Sequence, residues 1–126
     1  MRVLTFGTFD HFHPGHAAYL SQAASRGDLF VVVARDANVE RIKGRRPDDD
    51  EATRTVAVRA AFLKATVVLG NSGDFLQPLR EIKPDLLVLG YDQRLPPGVT
   101  EADLPCPVER AEPFEPGMYK SSLRKK

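Results

Sequence analysis

The stretch Val3-Leu4-Thr5-Phe6-Gly7-Thr8-Phe9-Asp10-His11-Phe12-His13-Pro14-Gly15-His16 decides the fold of this chain. Its first four residues suit a buried strand, the apolar run breaks at Gly7, and a histidine-bearing segment then leads into a helical pattern. Open α/β folds build nucleotide sites at such strand-to-helix turns, because backbone N–H groups and the helix dipole there face phosphates. All 3 histidines of the chain lie in this turn, so they would meet a triphosphate. Zinc ligation by His11, His13 and His16 is a competing reading, since imidazole is a common ligand for that ion. Adjacent side chains at a strand end diverge, which speaks against it, and no metal ligand is assigned. Ordinary surface or packed histidines are the other plain alternative.

Outward from this turn, apolar runs alternate with helical patterns, the mark of βαβ units and a parallel sheet. Strands are expected at Arg2 to Phe6, Leu29 to Ala34, Thr66 to Leu69, Asp85 to Leu89 and Pro107 to Arg110. One helix carries His16, Leu20, Ala23 and Ala24 on an apolar stripe and stops near Gly27. A second has the stripe Ala52, Val56, Ala60 and Leu63 behind an acidic start at Asp48 to Glu51, which complements the helix dipole. A third, shorter one carries Phe75, Leu79 and Ile82, with Pro78 in its first turn. The proline-rich stretch from Arg94 to Pro107 reads as a loop over the carboxyl edge of the sheet. The expected fold is thus α/β, a Rossmann-like open parallel sheet of about five strands with helices on both faces.

Composition narrows the function classes. A chain of 126 residues, 42% hydrophobic, suits one domain with a real core. Its net charge of +1 gives no electrostatic footprint for nucleic acid. No apolar run approaches the roughly 20 residues of a membrane helix, and Met1-Arg2-Val3 leads straight into a strand without a signal peptide. A single cysteine, Cys106, excludes an internal disulfide and a cysteine-based zinc cluster. A cytoplasmic protein is expected, with neither nucleic acid nor membrane as partner.

The string Gly7-Thr8-Phe9-Asp10-x-x-His13-x-Gly15-His16 resembles the signature of the nucleotidyltransferase superfamily that includes glycerol-3-phosphate cytidylyltransferase, archaeal FAD synthase and phosphopantetheine adenylyltransferase. His13 and His16 take the two histidines of its HxGH motif. Further segments resemble the family's in the same order: Arg41-Ile42-Lys43-Gly44 its basic loop, Lys83-Pro84-Asp85 leading into Leu86 to Gly90 its fourth strand, and Ser121-Ser122 its C-terminal hydroxyl pair. The resemblance makes residues 1–126 one nucleotidyltransferase domain. A helix beginning at Ser121 would be very short, so a domain excised from a longer chain is also expected.

That resemblance implies attack by a phosphate or phosphonate oxygen on the α-phosphorus of a nucleoside triphosphate, with pyrophosphate expelled and no protein nucleophile. Catalysis would then rest on positioned donors and cations. His13, His16 and Lys43 are the implied catalytic groups. Gly7, Thr8, Phe9, Gly15, Gly90, Asp92, Ser121 and Ser122 would bind the nucleotide, and Asp10, Arg45, Arg54 and Lys120 the acceptor. Plain alternatives stand beside several of these: Asp10 as a helix cap, Arg54 as a surface charge, Tyr91 as a packed ring, Ser121 and Ser122 as a cap. Mg²⁺ is expected to enter with the triphosphate.

The expected reaction is transfer of CMP from CTP to a small phosphate or phosphonate such as 2-hydroxyethylphosphonate. The chain has no Trp, and several of its Phe and Tyr residues sit in strand or helix positions that the core should claim, which speaks against a slot for a flat three-ring acceptor. FAD synthase, with ATP and FMN as substrates, is the alternative. It draws on Val31 to Asp36 and Leu89 to Gln93, with Tyr91 at a position that glycerol-3-phosphate cytidylyltransferases give to aspartate. A non-catalytic nucleotide-binding regulatory module on the same fold is the alternative from another class. A homodimer is expected, as symmetric dimers are common.

Overall fold

Five apolar runs become strands: β1 (Arg2–Gly7), β2 (Asp28–Val33), β3 (Thr66–Leu69), β4 (Leu86–Leu89) and β5 (Val108–Arg110). The computed structural model describes residues 1–113. Among these, four helices join the strands: α1 (Pro14–Ala24), α2 (Asp36–Lys43), α3 (Glu51–Ala61) and α4 (Gln77–Ile82). All strands are parallel, in the spatial order β3-β2-β1-β4-β5. Strands buried on both faces read as continuous apolar runs, which is why β1 and β4 carry no polar alternation.

Successive residues of β1 point to opposite faces and feed two separate cores. Val3 packs with Leu20 and Ala23 of α1, Val31, Val33, Val58 of α3 and Val88. Leu4 and Phe6 pack on the other side with Leu79 of α4, Val32, Leu87 and Leu89. Helices therefore cover both faces, as expected for the Rossmann-like class. The loop after β4, with a 3-10 turn at Glu101–Asp103, lays Leu95 and Leu104 over the α4 face.

Two expectations are corrected. The basic segment Arg41 to Lys43 is not a loop but the last turn of α2, which ends at Gly44 in the left-handed conformation (φ 86°). That helix buries only Val39, so no apolar stripe announces it. In α3 the expected stripe faces outward, with Val56 62% and Leu63 86% exposed. The buried face is Arg54, Thr55 and Val58, and Arg54 is held there by hydrogen bonds rather than by hydrophobicity. Pro78 does lie in the first turn of α4, where a missing N–H costs nothing.

The chain runs outward from β1 to β2 to β3, then returns through α4 to place β4 on the far side of β1. Strand order reverses between β1 and β4, and ligands of open α/β sheets bind at the carboxyl ends of the strands there.

Candidate active site

The turn after β1 folds back tightly. Phe9 (φ 57°) and His11 (φ 50°) adopt left-handed backbone conformations, which cost L-residues about 1 to 2 kcal/mol each. The first of these turns the Phe9 ring under the end of β1, so closely that a Cβ on Gly7 would lie 2.6 Å from its Cζ. Only glycine fits at position 7. Phe9 is 3% exposed; its ring meets the edge of His16 at 5.4 Å and lies parallel to Tyr19 at 6.4 Å. It serves as a floor beneath the histidine and adds only a small part of its surface to the wall above.

Helix α1 is capped by the two motif histidines in a reciprocal arrangement. The Gly15 N–H donates to Nδ1 of His13 at 3.1 Å, and the His13 N–H donates to Nδ1 of His16 at 3.4 Å. Both Nδ1 atoms accept, so in the neutral rings the proton resides on Nε2 of each. The rings stack at 3.7 Å with 22° between their planes. Burial, and then the neighbouring His13, push the pKa of His16 down to about 4, while burial lowers that of His13. At neutral pH the helix start thus offers uncharged Nε2–H donors beside its own N–H groups, an anion-binding arrangement. A Cβ on Gly15 would meet Cε1 of His13 at 2.9 Å, so Gly15 allows this ring to close over the helix end.

Asp10 does not cap α1. Its two oxygens accept from the N–H groups of Asp48 and Asp49 at 2.9 Å each, bracing the turn against the approach to α3. Burial would raise its pKa, but those backbone donors, first Asp49 and then Asp48, prevail and hold it below the usual carboxylate value. His11 Nε2 pairs with Asp48 at 2.7 Å, and that hydrogen bond raises the pKa of His11. His11 is thus engaged through Nε2, and both motif histidines are bound through Nδ1 to the helix start.

Arg54 lies behind this turn. Its enclosed guanidinium donates to the Thr8 carbonyl at 2.7 Å, the Asp49 carbonyl at 3.0 Å and Oδ1 of Asp36 at 2.7 Å. It does not reach the cleft wall, so the expected acceptor contact is replaced by a structural role: it fastens the first residues of α2 and α3 to the turn.

At the end of β4, the Gln93 side chain accepts from the Gly90 N–H at 2.9 Å and donates to the Phe6 carbonyl at 3.0 Å. Arg110 holds the Gly90 and Gln93 carbonyls, and the Tyr19 hydroxyl donates to the Val88 carbonyl at 2.6 Å. Burial raises the pKa of Tyr19 and keeps this hydroxyl protonated. The sequence singles out the segment ending at Gln93 without assigning that side chain a role, and gives no role to Arg110 or Tyr19; the position of Gln93, three residues after a strand-ending glycine, is the available signal.

Above these groups opens a cleft of about 1460 Å³, lined by Gly7, Thr8, Phe9, Asp10, His13, Gly15, His16, Lys43, Arg45, Gly90 and Asp92 among others. Elements distant in sequence thus bring most of the expected site residues to one cavity. Arg41 donates to the Ser72 carbonyl and Arg46 to Glu40, whereas the side chains of Lys43 and Arg45 make no hydrogen bond or ion pair among the described residues. Lys120, Ser121 and Ser122 lie outside the described residues.

A family model described as cytidylyltransferase-like matches residues 4–103. The chain belongs to the cytidylyltransferase-like family. Its members are nucleotidyltransferases, and so is this chain. An FAD synthase of Methanosarcina mazei is 46% identical over 104 residues, covering 82% of this chain and 68% of that protein. An FAD synthase of Halalkalicoccus jeotgali is 41% identical over 122 residues, covering 92% and 84%. The lipopolysaccharide core biosynthesis protein of Thermoplasma volcanium has a similar crystal structure, with a TM-score of 0.79 and 32% identity over 91% of this chain and 98% of that one.

These relatives overturn the expected transfer of CMP from CTP to a small phosphate or phosphonate. The cleft lining also includes the apolar residues Phe75, Leu76, Leu95, Pro96, Pro97 and Val99, mostly aliphatic or proline rather than Trp or Tyr. Among the described residues no helix is long and apolar enough to cross a membrane.

Proposed function

We propose that this chain transfers AMP from ATP to FMN, forming FAD and pyrophosphate. The observation that carries it is the 41 to 46% identity, over most of the chain, to archaeal proteins named FAD synthase. The apolar residues Phe75, Leu76, Leu95, Pro96, Pro97 and Val99 in the cleft lining support it, since cofactor pockets bury flat rings against hydrophobic walls.

A phosphate oxygen of FMN, already ionised at neutral pH, attacks the α-phosphorus of ATP. A new P–O bond forms, the bond to the β-phosphate oxygen breaks, and the electron pair leaves with pyrophosphate. No protein base is required. Nε2–H of His13 and of His16 donate to the phosphoryl oxygens as charge grows on them, which is how preorganised donors accelerate such steps. Lys43 and Arg45 meet the triphosphate or the FMN phosphate, while Gly90 and Asp92 contact the ribose or base. Lys120, Ser121 and Ser122 add phosphate contacts.

Mg²⁺ brought in with ATP would supply charge neutralisation at the phosphates. Asp10 is the carboxylate beside the motif, and since each of its oxygens already accepts a backbone N–H it would hold such a cation only in part.

The test crosses ATP and CTP with FMN, following pyrophosphate release and separating the flavins by chromatography. FAD formed from ATP and FMN in stoichiometry with pyrophosphate is the expected outcome. Pyrophosphate release from neither nucleotide in the presence of FMN would refute the reading.

A further inference from the structure

The ladder between β1 and β4 ends before the strands do. Its last register pair is Thr5 with Val88, although β1 runs on to Gly7 and β4 to Leu89. Beyond that pair the Gly7 carbonyl turns to the β2 side, where it accepts from Ala34, and the Leu89 carbonyl turns to the β5 side, where it accepts from Ala111. Alternation along parallel strands leaves the Phe6 carbonyl and the Gly90 N–H as the next pair to meet. They do not meet. The half-buried Gln93 side chain stands between them, its Oε1 accepting from the Gly90 N–H at 2.9 Å and its Nε2 donating to the Phe6 carbonyl at 3.0 Å. One amide thus replaces a rung of the ladder with two hydrogen bonds in series, and it holds the strand ends apart by its own width.

The inserted amide is itself held. The Gln93 N–H donates to the Gly90 carbonyl at 3.1 Å, closing a turn, and Nη1 of Arg110 donates to the carbonyls of Gly90 at 3.0 Å and Gln93 at 2.6 Å. From α1 the Tyr19 hydroxyl donates to the carbonyl of Val88, the last residue of the ladder, at 2.6 Å. The split lies where the strand order reverses, and its two banks reach the cleft as Gly7, Thr8 and Phe9 on one side and Gly90 and Asp92 on the other. Phe9 carries the edge of His16.

Resting on nucleotidyl transfer and, for its assay, on the FAD synthase reading, we infer that Gln93 is a positioning residue. Its amide sets the width of the split and so places the turn that bears His13 and His16 against the loop after β4. It acts through Phe6 and Gly90 and touches no reacting atom.

The test compares wild type with Gln93→Glu and Gln93→Ala, each checked for thermal unfolding. Gln93→Glu keeps the size and the acceptor for Gly90, but an ionised carboxylate cannot donate to the Phe6 carbonyl, whereas a protonated one can. At about pH 8 both variants are expected to lose about a hundredfold in kcat for FAD formation, the scale of a small misplacement, with the KM of ATP and of FMN within about threefold of wild type. As the pH is lowered, the activity of Gln93→Glu relative to wild type should rise, because its carboxyl takes up the missing proton, while that of Gln93→Ala stays level. Taking ratios to wild type cancels the titration of His13, His16, Asp92 and the substrates. Arg110 keeps its charge throughout, and burial keeps the Tyr19 hydroxyl protonated, so neither produces the rise. If wild type forms FAD but the variants turn over normally, or Gln93→Glu gains nothing in acid, the positioning role is overturned and the FAD synthase reading stands. If wild type releases pyrophosphate but forms no FAD, that reading falls alone and the same ratios are taken on the pyrophosphate release.

Discussion

Nη2 of Arg54 donates to Oδ1 of Asp36 at 2.7 Å, joining α3 to the first residue of α2 with the guanidinium fully enclosed. The same group holds the carbonyls of Thr8 and Asp49, so one buried charge fastens the turn after β1 to the helix that carries Lys43. Replacing it with Met leaves a carboxylate and two carbonyls without their donor. Arg54→Met is expected to lose about 3 kcal/mol of stability, within the range for breaking one side of a buried ion pair. Arg54→Lys should recover only part, because a single ammonium cannot span all three partners. Urea denaturation of the two variants measures both effects.

The reciprocal cap separates two roles of His13. Asn is among the best N-cap residues but offers no Nε2–H over the phosphates. His13→Asn is therefore expected to unfold like wild type while nucleotidyl transfer slows by about a hundredfold, the scale of one lost transition-state donor. His13→Ala should lose the same activity and also about 1 kcal/mol of stability. Equal stabilities of these two variants would show that the imidazole does not cap the helix.

Acid should destabilise the protein through His16. Its folded pKa is about 4 against 6.5 for the free side chain, so between those values the unfolded chain takes up a proton that the folded chain refuses. Stability then falls as the pH drops from about 6.5 to about 4. His11 acts with the opposite sign: its hydrogen bond to Asp48 raises its pKa, so its contribution is full at low pH and fades as pH rises through the raised value. His11→Asn should accordingly cost more stability at pH 5 than at pH 8, read from denaturation curves at the two values.

Gly7→Ala introduces a methyl group 2.6 Å from Cζ of Phe9. Overpacking of this kind costs about 1 to 3 kcal/mol, and here it also displaces the floor beneath His16. Gly7→Ala should lose both stability and turnover, and adding Phe9→Leu should restore part of each. A double-mutant cycle in which the two losses simply add would argue against the contact.

Legibility in the sequence followed the physics of each element. Buried parallel strands announce themselves as apolar runs, so Val3 to Phe6 and Leu86 to Leu89 were plain. Helix α2 was not, because a helix that buries only Val39 has no stripe to detect. The buried face of α3 was misread because its deepest residue is an arginine whose partners Thr8, Asp36 and Asp49 are fixed only by the fold. The histidine motif was legible because its spacing is local. The apolar part of the cleft lining was hidden because Phe75 and Leu95 join one cluster only after α4 and the loop beyond β4 fold onto the same face.

The return of the chain to β1 sets an order of assembly during synthesis. Residues up to β3 can pair among themselves, but one long edge of β1 stays open until β4 emerges, and the Arg2 N–H waits for Asp85, 83 residues later. Until then the nascent chain exposes an unpaired apolar strand, the kind of edge on which chains aggregate. The residues at the ends of β4 and β5 that line the cleft, Leu89 to Leu95 and Ala111 to Glu112, are missing over the same interval. Protection of that edge falls to rapid elongation or to chaperones.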